Sequence, residues 1–473
     1  MSSLGKRRPA RSASGMSGLS RGAPTPRGEV RSNRSAPTAP GQVEIESLAH
    51  DGRGIAHRAD GKAVFVDGAL PGEVVAIAVH RSRKRYDEAH ISEVVTPSGQ
   101  RVTPPCPYVE RCGGCDLQHM DIPAQRHHKA SVLAELLDRQ GIQIRGEVEV
   151  LATADQHYRR RARLGVRVDA EGGIHLGFRA RRSQRLVSVE HCTILVPALS
   201  ELLPTLKQLL ATLEAPRHVG HIELLYSDQG ASVVVRQLRR HPTDQQRWQR
   251  WAQQRQLHLA QWIGREQPAL EWLWPQQEPR LTVTVPSLAG DLALAYEPHD
   301  FLQANNGVNR MMIGSVLEWL GPAAGDTTLL DLFAGLGNFS LPLASAGYRV
   351  TAFEGQAEMV ERLALNAENC GLHVASHQRN LHDSAVVAAL FAEHAADVVV
   401  LDPPRDGAEA VCRTLAGQAS VTRILYIACD PATLARDAAY LLQGGFAVRR
   451  VAMADLFVHT SHLESMLLFE REQ

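Results

Sequence analysis

The sequence predicts an α/β protein whose carboxyl-terminal part is a doubly wound, mostly parallel sheet. Beyond about residue 291, apolar strands alternate with helical stretches, which is the rhythm of repeated βαβ units. Several of these strands end in residues that can carry chemistry, and open α/β sheets place their sites at such carboxyl ends. The predicted strands are Thr328–Leu332, Arg349–Phe353, Val398–Leu401, Ile424–Ala428, Phe446–Met453 and Ser465–Phe469.

The length and composition indicate a multidomain protein. Its 473 residues leave room for two to four domains of roughly 100–200 residues, and its formal net charge is zero. No apolar run reaches the roughly 18 residues of a membrane span, and the amino terminus lacks the apolar core of a secretory signal. Seven cysteines without an export signal indicate reduced thiols, metal ligands or catalysis. We expect a cytoplasmic monomer with no membrane partner.

Residues 1–40 are predicted to be a disordered basic tail. They contain eight Lys or Arg residues against Glu29 alone, among many Ser, Pro, Gly and Ala. Such a segment cannot bury a core. It is either an electrostatic arm for nucleic acid, a solvated tail or the product of a misassigned start site.

Residues 41–98 are predicted to form a small β-barrel, because short strands there are separated by Gly and Pro turns. A basic hairpin that carries an aromatic residue, His80–Tyr86, joins its last two strands. Such a hairpin suits contacts with phosphates and bases. The alternative is a charged loop that protects a sheet edge from aggregation.

Residues 99–290 are predicted to be a mixed central domain. A helix is expected near Ile122–Gln140, and the Trp-bearing stretch from Arg247 to Trp274 is expected to be core. If the run at 159–167 is a strand, four cations share one face: Arg159, Arg161, Arg163 and Arg167. We expect RNA phosphate rather than water to face them.

Two predicted strand ends indicate an adenosine-containing cofactor. Asp331–Phe339 follows a strand and opens a helix, and its glycines would let the backbone approach a ligand closely. Glu354 ends the next strand, where a carboxylate suits both hydroxyls of a ribose. The third Gly of the dinucleotide fingerprint is absent, which disfavours NAD.

Cys429 ends a further strand, directly before an Asp-Pro pair that opens a helix. Taken alone, Cys429 is better explained as an inert buried thiol, and Glu464 as a surface carboxylate. Together with Asp402 at another strand end they indicate a nucleophile and a base at one site.

Five segments occur in an order that resembles the S-adenosylmethionine-dependent RNA uracil-C5 methyltransferases: Asp331–Phe339, Glu354-Gly355, Asp402-Pro403-Pro404, Cys429–Leu434 and His459–Ser465. The resemblance covers nearly all of the chain beyond the tail. It implies a Rossmann-like methyltransferase domain over 291–473, preceded by an OB-like TRAM barrel that binds RNA. The barrel and a cysteine cluster resemble the 23S rRNA members more than the tRNA members.

The resemblance also implies roles for single residues. Cys429 would add to C6 of the uracil, which makes C5 enolate-like and able to accept a methyl group, and Glu464 would remove the C5 proton. Asp402 would hold the target uracil or the charged end of the cofactor. S-Adenosyl-L-methionine would be bound by Gln303, Phe333, Asn338, Glu354, Asn380 and Asp402.

The acidity of the Cys429 thiol is a separate expectation. The helix N-terminus that follows Asp430 should lower the pKa of Cys429. The family usually has Asn at the position of Asp430, so this chain carries an extra negative charge beside the thiol.

Four cysteines resemble the family's [4Fe–4S] ligand set: Cys106, Cys112, Cys115 and Cys192. Four thiolates are what such a cluster requires, and the cluster would make residues 99–290 an α+β iron–sulfur domain that braces the protein. Spacing alone does not separate this from structural zinc, with Cys192, His119 or His191 as fourth ligand, or from unligated buried thiols.

The predicted function is methylation of C5 of a uridine in 23S rRNA. The uridine would have to leave its stack, because C5 and C6 are blocked there. Two alternatives are a tRNA or other-site uracil-C5 methyltransferase, and a non-catalytic RNA-binding or ribosome assembly factor. The presence of Cys429, Glu464, Asp402 and the glycine loop argues against the second.

Overall fold

The computed structural model describes residues 41–144, 146–264 and 269–472, where it contains sheets of six, seven, two and eight strands. The predicted basic tail, residues 1–40, lies outside these described residues. Within the described ranges, no helix has both the length and the apolar character needed to cross a membrane.

The amino-terminal module is a six-stranded sheet, as the short strands predict. Its strands are β1 (Gln42–Glu44), β2 (Ser47–Leu48), β3 (Gly54–His57), β4 (Ala63–Asp67), β5 (Val74–Ser82) and β6 (Tyr86–Thr96). They follow the order β1-β5-β6-β4-β3-β2, and alternate residues such as Val64 and Val66 enter one apolar core. The antiparallel pair β5 and β6 confirms the basic hairpin, whose turn leaves Arg83, Lys84 and Arg85 exposed.

The central part contains a seven-stranded sheet in the order β10-β9-β8-β11-β12-β13-β14. Helices α3 and α4 share one apolar core with this sheet, and the buried side chains of Trp248 and Trp251 confirm that this stretch is core. A 3-10 helix spans Pro216–His218. The other elements are α1 (Ile122–Arg139), β7 (Glu149–Leu151), β8 (Arg161–Val168), β9 (Ile174–Arg179), β10 (Leu186–Ser188), α2 (Pro197–Ser200), α3 (Leu202–Thr212), β11 (Val219–Ser227), β12 (Gly230–Gln237), α4 (Pro242–Gln254), β13 (His258–Ile263) and β14 (Ala269–Trp274).

The predicted row of four arginines on one face is only partly present. Arg163 and Arg167 are exposed on β8, whereas Arg159 precedes that strand. Arg161 donates hydrogen bonds to the carbonyl groups of Pro298 and Asp300 and pairs with Glu223. The expectation that Arg161 faces RNA is therefore wrong, because these bonds occupy its guanidinium group.

The carboxyl-terminal part confirms the doubly wound sheet. Its strands run in the order β19-β18-β17-β20-β21-β23-β22-β7, and β23 alone is antiparallel to its neighbours in this described sheet. The elements are the hairpin β15 (Thr282–Val285) and β16 (Leu292–Ala295), then α5 (Asn306–Leu320), β17 (Thr328–Leu332), α6 (Ser340–Ser345), β18 (Arg349–Glu354), α7 (Ala357–Asn369), β19 (Val374–Gln378), α8 (Ser384–Glu393), β20 (Val398–Leu401), α9 (Glu409–Ala416), β21 (Arg423–Ala428), α10 (Pro431–Gln443), β22 (Phe446–Ala454) and β23 (Glu464–Arg471).

Helices cover both faces of this sheet. One apolar core contains residues of α1, α8, α9 and α10, and the other contains residues of α5, α6 and α7. Burying each Leu or Val side chain contributes roughly 1.5–3 kcal/mol. Helix α1 and strand β7 belong to the stretch predicted as central domain, 99–290, and they pack with the eight-stranded sheet. Helix α1 presents Leu133 and Leu137 to that core.

Candidate active site

The carboxyl ends of parallel strands bring the predicted site residues to one edge of the sheet. Strands β18, β17, β20 and β21 are neighbours in parallel register. Residues at or directly after their ends therefore lie along the same edge. They are Glu354, Phe333, Asp402 and Cys429.

The glycine loop after β17 is shaped by bonds to the next strand. Phe333 has a φ of 65°, and its N–H donates to the carbonyl of Phe353 at 2.9 Å. Gly337 has a φ of 99°, and a Cβ there would collide with Leu341. Glycine is therefore required at this position both by conformation and by space.

The carboxylate of Glu354 organises this loop. Its Oε2 accepts a hydrogen bond from the N–H of Gly335 at 3.1 Å. Its Oε1 accepts from the N–H groups of Gly355 at 2.7 Å and Gln356 at 3.0 Å. The group is held at the strand end where the sequence predicts a ribose partner, and that role stays a prediction.

The other predicted cofactor residues, Asn338, Gln303 and Asn380, lie in three different parts of the fold. Asn338 exchanges two amide hydrogen bonds with Asn309, at 2.9 and 3.0 Å. Gln303 lies just before α5 in a small cleft beside Arg160. Asn380 is exposed after β19, and its side-chain oxygen accepts from the N–H of His382 at 3.2 Å. The sequence did not point to Asn309. It could have been noticed only as a polar residue among the apolar residues of helix α5.

The structure brings Cys429 and Glu464 together. Ala428 at the end of β21 pairs with Ser465 near the start of antiparallel β23. The next residues outward, Cys429 and Glu464, are therefore neighbours across this ladder. Glu464 is 3% exposed, and Cys429 is half-buried.

The expected acidification of the Cys429 thiol is wrong. Burial raises the pKa of Cys429 to about 11, with further increases from Glu464 and Asp402 and a decrease from Arg405. The N–H groups of Ala432 and Thr433 at the helix start donate to the Asp430 carboxylate, both at 3.0 Å. These donors are consequently not available to a thiolate.

Burial also raises the pKa values of the neighbouring carboxyl groups. The pKa of Asp402 rises to about 7, first through burial and then through the charges of Asp331 and Glu354. The pKa of Glu464 is raised well above its usual range by burial and by Asp402, and Arg405 opposes this. A carboxyl group with a raised pKa, such as Asp402, is suited to general acid–base catalysis near neutral pH. Sequence reasoning missed Arg405, although it directly follows Asp402-Pro403-Pro404.

The four clustered cysteines come from two loops that lie close together. Burial raises the pKa of Cys115 to about 12, and the charges of Cys192, Cys112 and Cys106 contribute to the increase. Arg181 donates to the carbonyl groups of Cys112 and Cys115 at 3.4 and 2.6 Å. No group of three or more His, Cys, Asp or Glu side chains in the described part of the chain is arranged to hold a metal ion.

The fold and this edge of the sheet define a Rossmann-like methyltransferase. The sequence model of the tRNA (uracil-5-)-methyltransferase family matches residues 122–472, and that of the TRAM domain matches residues 42–91. The chain therefore belongs to the tRNA (uracil-5-)-methyltransferase family, and its amino-terminal sheet is a TRAM domain.

Named relatives resemble the whole chain. The 23S rRNA (uracil(1939)-C(5))-methyltransferase RlmD of Halomonas elongata is 55% identical over 99% of this chain and 97% of its own length. The enzyme of the same name from Chromohalobacter salexigens is 52% identical over 100% of this chain and 96% of its own. Both matches reach far beyond the catalytic sheet.

A solved structure resembles most of the fold. The tRNA (uracil-54, C5)-methyltransferase of Pyrococcus abyssi, in complex with S-adenosyl-L-homocysteine, has a TM-score of 0.68 and is 20% identical. The likeness covers 90% of this chain and 100% of that one. At this identity the likeness shows a shared fold.

Proposed function

We propose that this methyltransferase transfers a methyl group from S-adenosylmethionine to C5 of a uridine in 23S rRNA. The observation that carries the proposal is the placement of Cys429 beside the buried carboxyl of Glu464 at the sheet edge. Relatives that are 55% and 52% identical carry this reaction in their names.

The chain's own residues account for the covalent steps. The Cys429 thiolate would add to C6, and the electrons of the C5–C6 double bond would move onto the C4 carbonyl oxygen. C5 would then accept the electrophilic methyl group that S-adenosylmethionine supplies, as the C4 carbonyl reforms and the S–CH3 bond breaks to leave S-adenosylhomocysteine. Glu464 would then take the C5 proton, the C5–H electrons would restore the double bond, and the C6–S bond would break to return the thiolate.

The residues at the edge of the sheet fit an adenosine-containing cofactor. Gly335 has a φ of 55° with open space around it, so the loop can lie close to a ligand. We propose that Glu354 binds the ribose, and that Gln303, Phe333, Asn338 and Asn380 line the rest of the site. Asp402 would hold the target uracil or the charged end of the cofactor.

A basic surface supports an RNA substrate. Three exposed cations, Arg83, Lys84 and Arg85, stand at the turn of the TRAM hairpin. A groove between the TRAM domain and the cysteine loop has a mixed lining, in which Arg53 pairs with Asp51 and Arg182 with Asp67, while Arg179 is exposed. We propose that RNA phosphates contact the three hairpin cations and Arg179.

We further propose that Cys106, Cys112, Cys115 and Cys192 bind a [4Fe–4S] cluster. The support is the donor set of four thiols from two loops, since the charges of Cys106 and Cys112 contribute to raising the pKa values of both Cys115 and Cys192. A protein purified without oxygen should be brown, with absorbance near about 400 nm that is lost in Cys115→Ser. Zinc found by metal analysis would contradict this assignment.

The experiment that tests the function is to map 5-methyluridine in all RNA from a strain that lacks the gene. We expect loss at one position of 23S rRNA, restored by the intact gene and not by Cys429→Ala. Loss from tRNA alone would contradict the substrate, and unchanged RNA would favour an assembly factor. Action on ribosomal RNA would place the protein in the cytoplasm, and we expect a monomer, which light scattering can check.

A further inference from the structure

The segment that leads into Glu464 is held by buried polar side chains of helix α1. This segment, Asp455–Thr460, is named here the base segment. Gln125, Lys129 and Asp455 are each 1% exposed, and His459 is 3% exposed. Burying such groups costs free energy unless each is bonded, so their contacts show what they hold.

Gln125 joins the base segment to the cysteine loop. Its Oε1 accepts a hydrogen bond from the N–H of His459 at 3.0 Å, and its Nε2 lies 3.2 Å from Nδ1 of the same residue. Nε2 also donates to the carbonyl groups of Leu117 at 3.0 Å and Met120 at 2.7 Å. One amide therefore connects α1, the cysteine loop and the base segment.

Lys129 holds the start of the same segment. Its Nζ donates to Oδ1 of Asp455 at 2.7 Å and to the carbonyl of Phe457 at 3.0 Å. Arg126 donates from Nε to Oδ2 of Asp455 at 3.2 Å. Because the Lys129–Asp455 pair is buried, removal of either partner would leave an uncompensated charge.

The cysteine loop holds the segment from its other side. The N–H groups of Asp116 and Leu117 both donate to the carbonyl of His459, at 2.8 and 2.9 Å. The hydroxyl of Tyr158 donates to the carbonyl of Val458 at 3.0 Å. His459 has a left-handed φ of 67°, a conformation that persists where the surroundings determine it.

We propose that Gln125 and Lys129 are positioning residues for the base Glu464. Neither residue contacts the reacting atoms, and each acts through the base segment, which ends at Thr460, shortly before Glu464 begins β23. The inference rests on the proposed function. It assigns the two residues to removal of the C5 proton, whereas addition of Cys429 at the end of β21 proceeds without them. The backbone of the cysteine loop takes part in the same positioning.

The test uses the full-length protein with Gln125→Met and RNA that carries tritium at C5 of uridine. The substitution keeps the length of the side chain and removes its hydrogen bonds. We expect tritium release to slow by about 10- to 100-fold, because small misplacement of a base has effects of this size. The covalent protein–RNA complex should accumulate on a denaturing gel, and cofactor affinity should change less than about threefold.

Two further variants separate positioning from loss of stability. Gln125→Glu keeps the acceptor for the N–H of His459 but turns an oxygen towards the carbonyl groups of Leu117 and Met120, so tritium release should slow at least as much as in Gln125→Met. Leu133→Ala removes a buried side chain from the same helix without touching the base segment. It should lower the melting temperature without accumulation of the covalent complex.

Hydrogen–deuterium exchange of the peptide 455–463 gives a readout that does not depend on activity. Exchange should be faster in Gln125→Met than in Leu133→Ala. Equal exchange in Gln125→Met and the unmodified protein, or parallel loss of complex formation and tritium release, would overturn the positioning role. If the unmodified protein transferred no methyl group to RNA, the proposed function itself would fail. The exchange data would still test whether Gln125 holds the base segment.

Discussion

Glu464 raises the pKa of the Cys429 thiol more than any other neighbouring charge. The two residues adjoin at the ends of antiparallel strands β21 and β23. With a pKa of about 11, roughly one thousandth of Cys429 is ionised at pH 8 in the free protein. As the proposed nucleophile, Cys429 would therefore need its surroundings or bound substrate to favour the thiolate.

Substitution Glu464→Gln should lower the pKa of Cys429, because it removes the neighbouring charge that raises this pKa most and keeps the size of the side chain. The pH dependence of Cys429 alkylation by iodoacetamide, followed by mass spectrometry, measures this pKa. Glu409→Gln on helix α9 is the matched control. An unchanged or higher pKa in Glu464→Gln would contradict the coupling.

Substitution Asp430→Asn should also lower the pKa of Cys429, because a neutral cap replaces a negative one. Asn still offers an oxygen to the N–H groups of Ala432 and Thr433, so the free energy of unfolding should change by less than about 0.5 kcal/mol. Asp430→Ala removes the cap and should cost about 1 kcal/mol. Urea titration and the alkylation assay check both effects, and equal stability of the two variants would refute the capping role.

Substitution Cys429→Ala should abolish methylation and leave cofactor affinity within about threefold, because the thiol acts on the uracil. Calorimetric titration with S-adenosylmethionine and a methyl-transfer assay measure the two quantities. Cys370→Ala, at the end of helix α7, should retain activity. Full activity in Cys429→Ala would disprove the covalent mechanism.

Substitution Glu354→Ala should weaken S-adenosylmethionine binding by about 10- to 100-fold, as expected when a charged hydrogen-bonding group is lost. The glycine loop would lose its three bonds to this carboxylate as well. Glu358→Ala, an exposed acid in the first turn of α7, is the control. Equal affinity in both variants would show that Glu354 does not bind the cofactor.

Asp331 should make the protein less stable as the pH rises. Burial raises the pKa of Asp331 to about 7, above its value of about 3.9 in an unfolded chain. The stabilisation of the neutral acid is complete below about pH 4 and is lost by about pH 7. The free energy of unfolding of Asp331→Asn should therefore fall less between pH 4 and pH 8 than that of the unmodified protein. The difference between the two falls should be roughly 1–3 kcal/mol. Urea titrations at both pH values measure this, with exposed Asp326→Asn as control, and equal falls would contradict the shift.

Local patterns were sufficient to predict much of the catalytic sheet. The strands and the glycine loop could be recognised because apolar runs, glycines and strand-end acids are signals contained in a few adjacent residues. The ladder between β21 and β23 could not be predicted in this way, since it depends on pairing between residues 37 to 47 positions apart. The same holds for Asn309, whose partner Asn338 lies in another element.

Tertiary contacts also reversed two expectations. Arg161 has the charge that an RNA contact needs, but its guanidinium is bound by Glu223 and by carbonyl groups near Asp300. Cys429 precedes a helix start that should favour a thiolate, but Asp430 takes the helix donors. In both cases a distant or competing partner, absent from the local pattern, decides the outcome.

The sequence by itself determined the family, the order of the modules and the residue types at the site, because these are properties of motifs along the chain. Only the tertiary structure decided how burial and charge shift the pKa values of those residues, and which residues Gln125 and Lys129 contact in the segment before Glu464. Burial and charge are set by whatever packs around a group, and here that packing joins residues more than 300 positions apart.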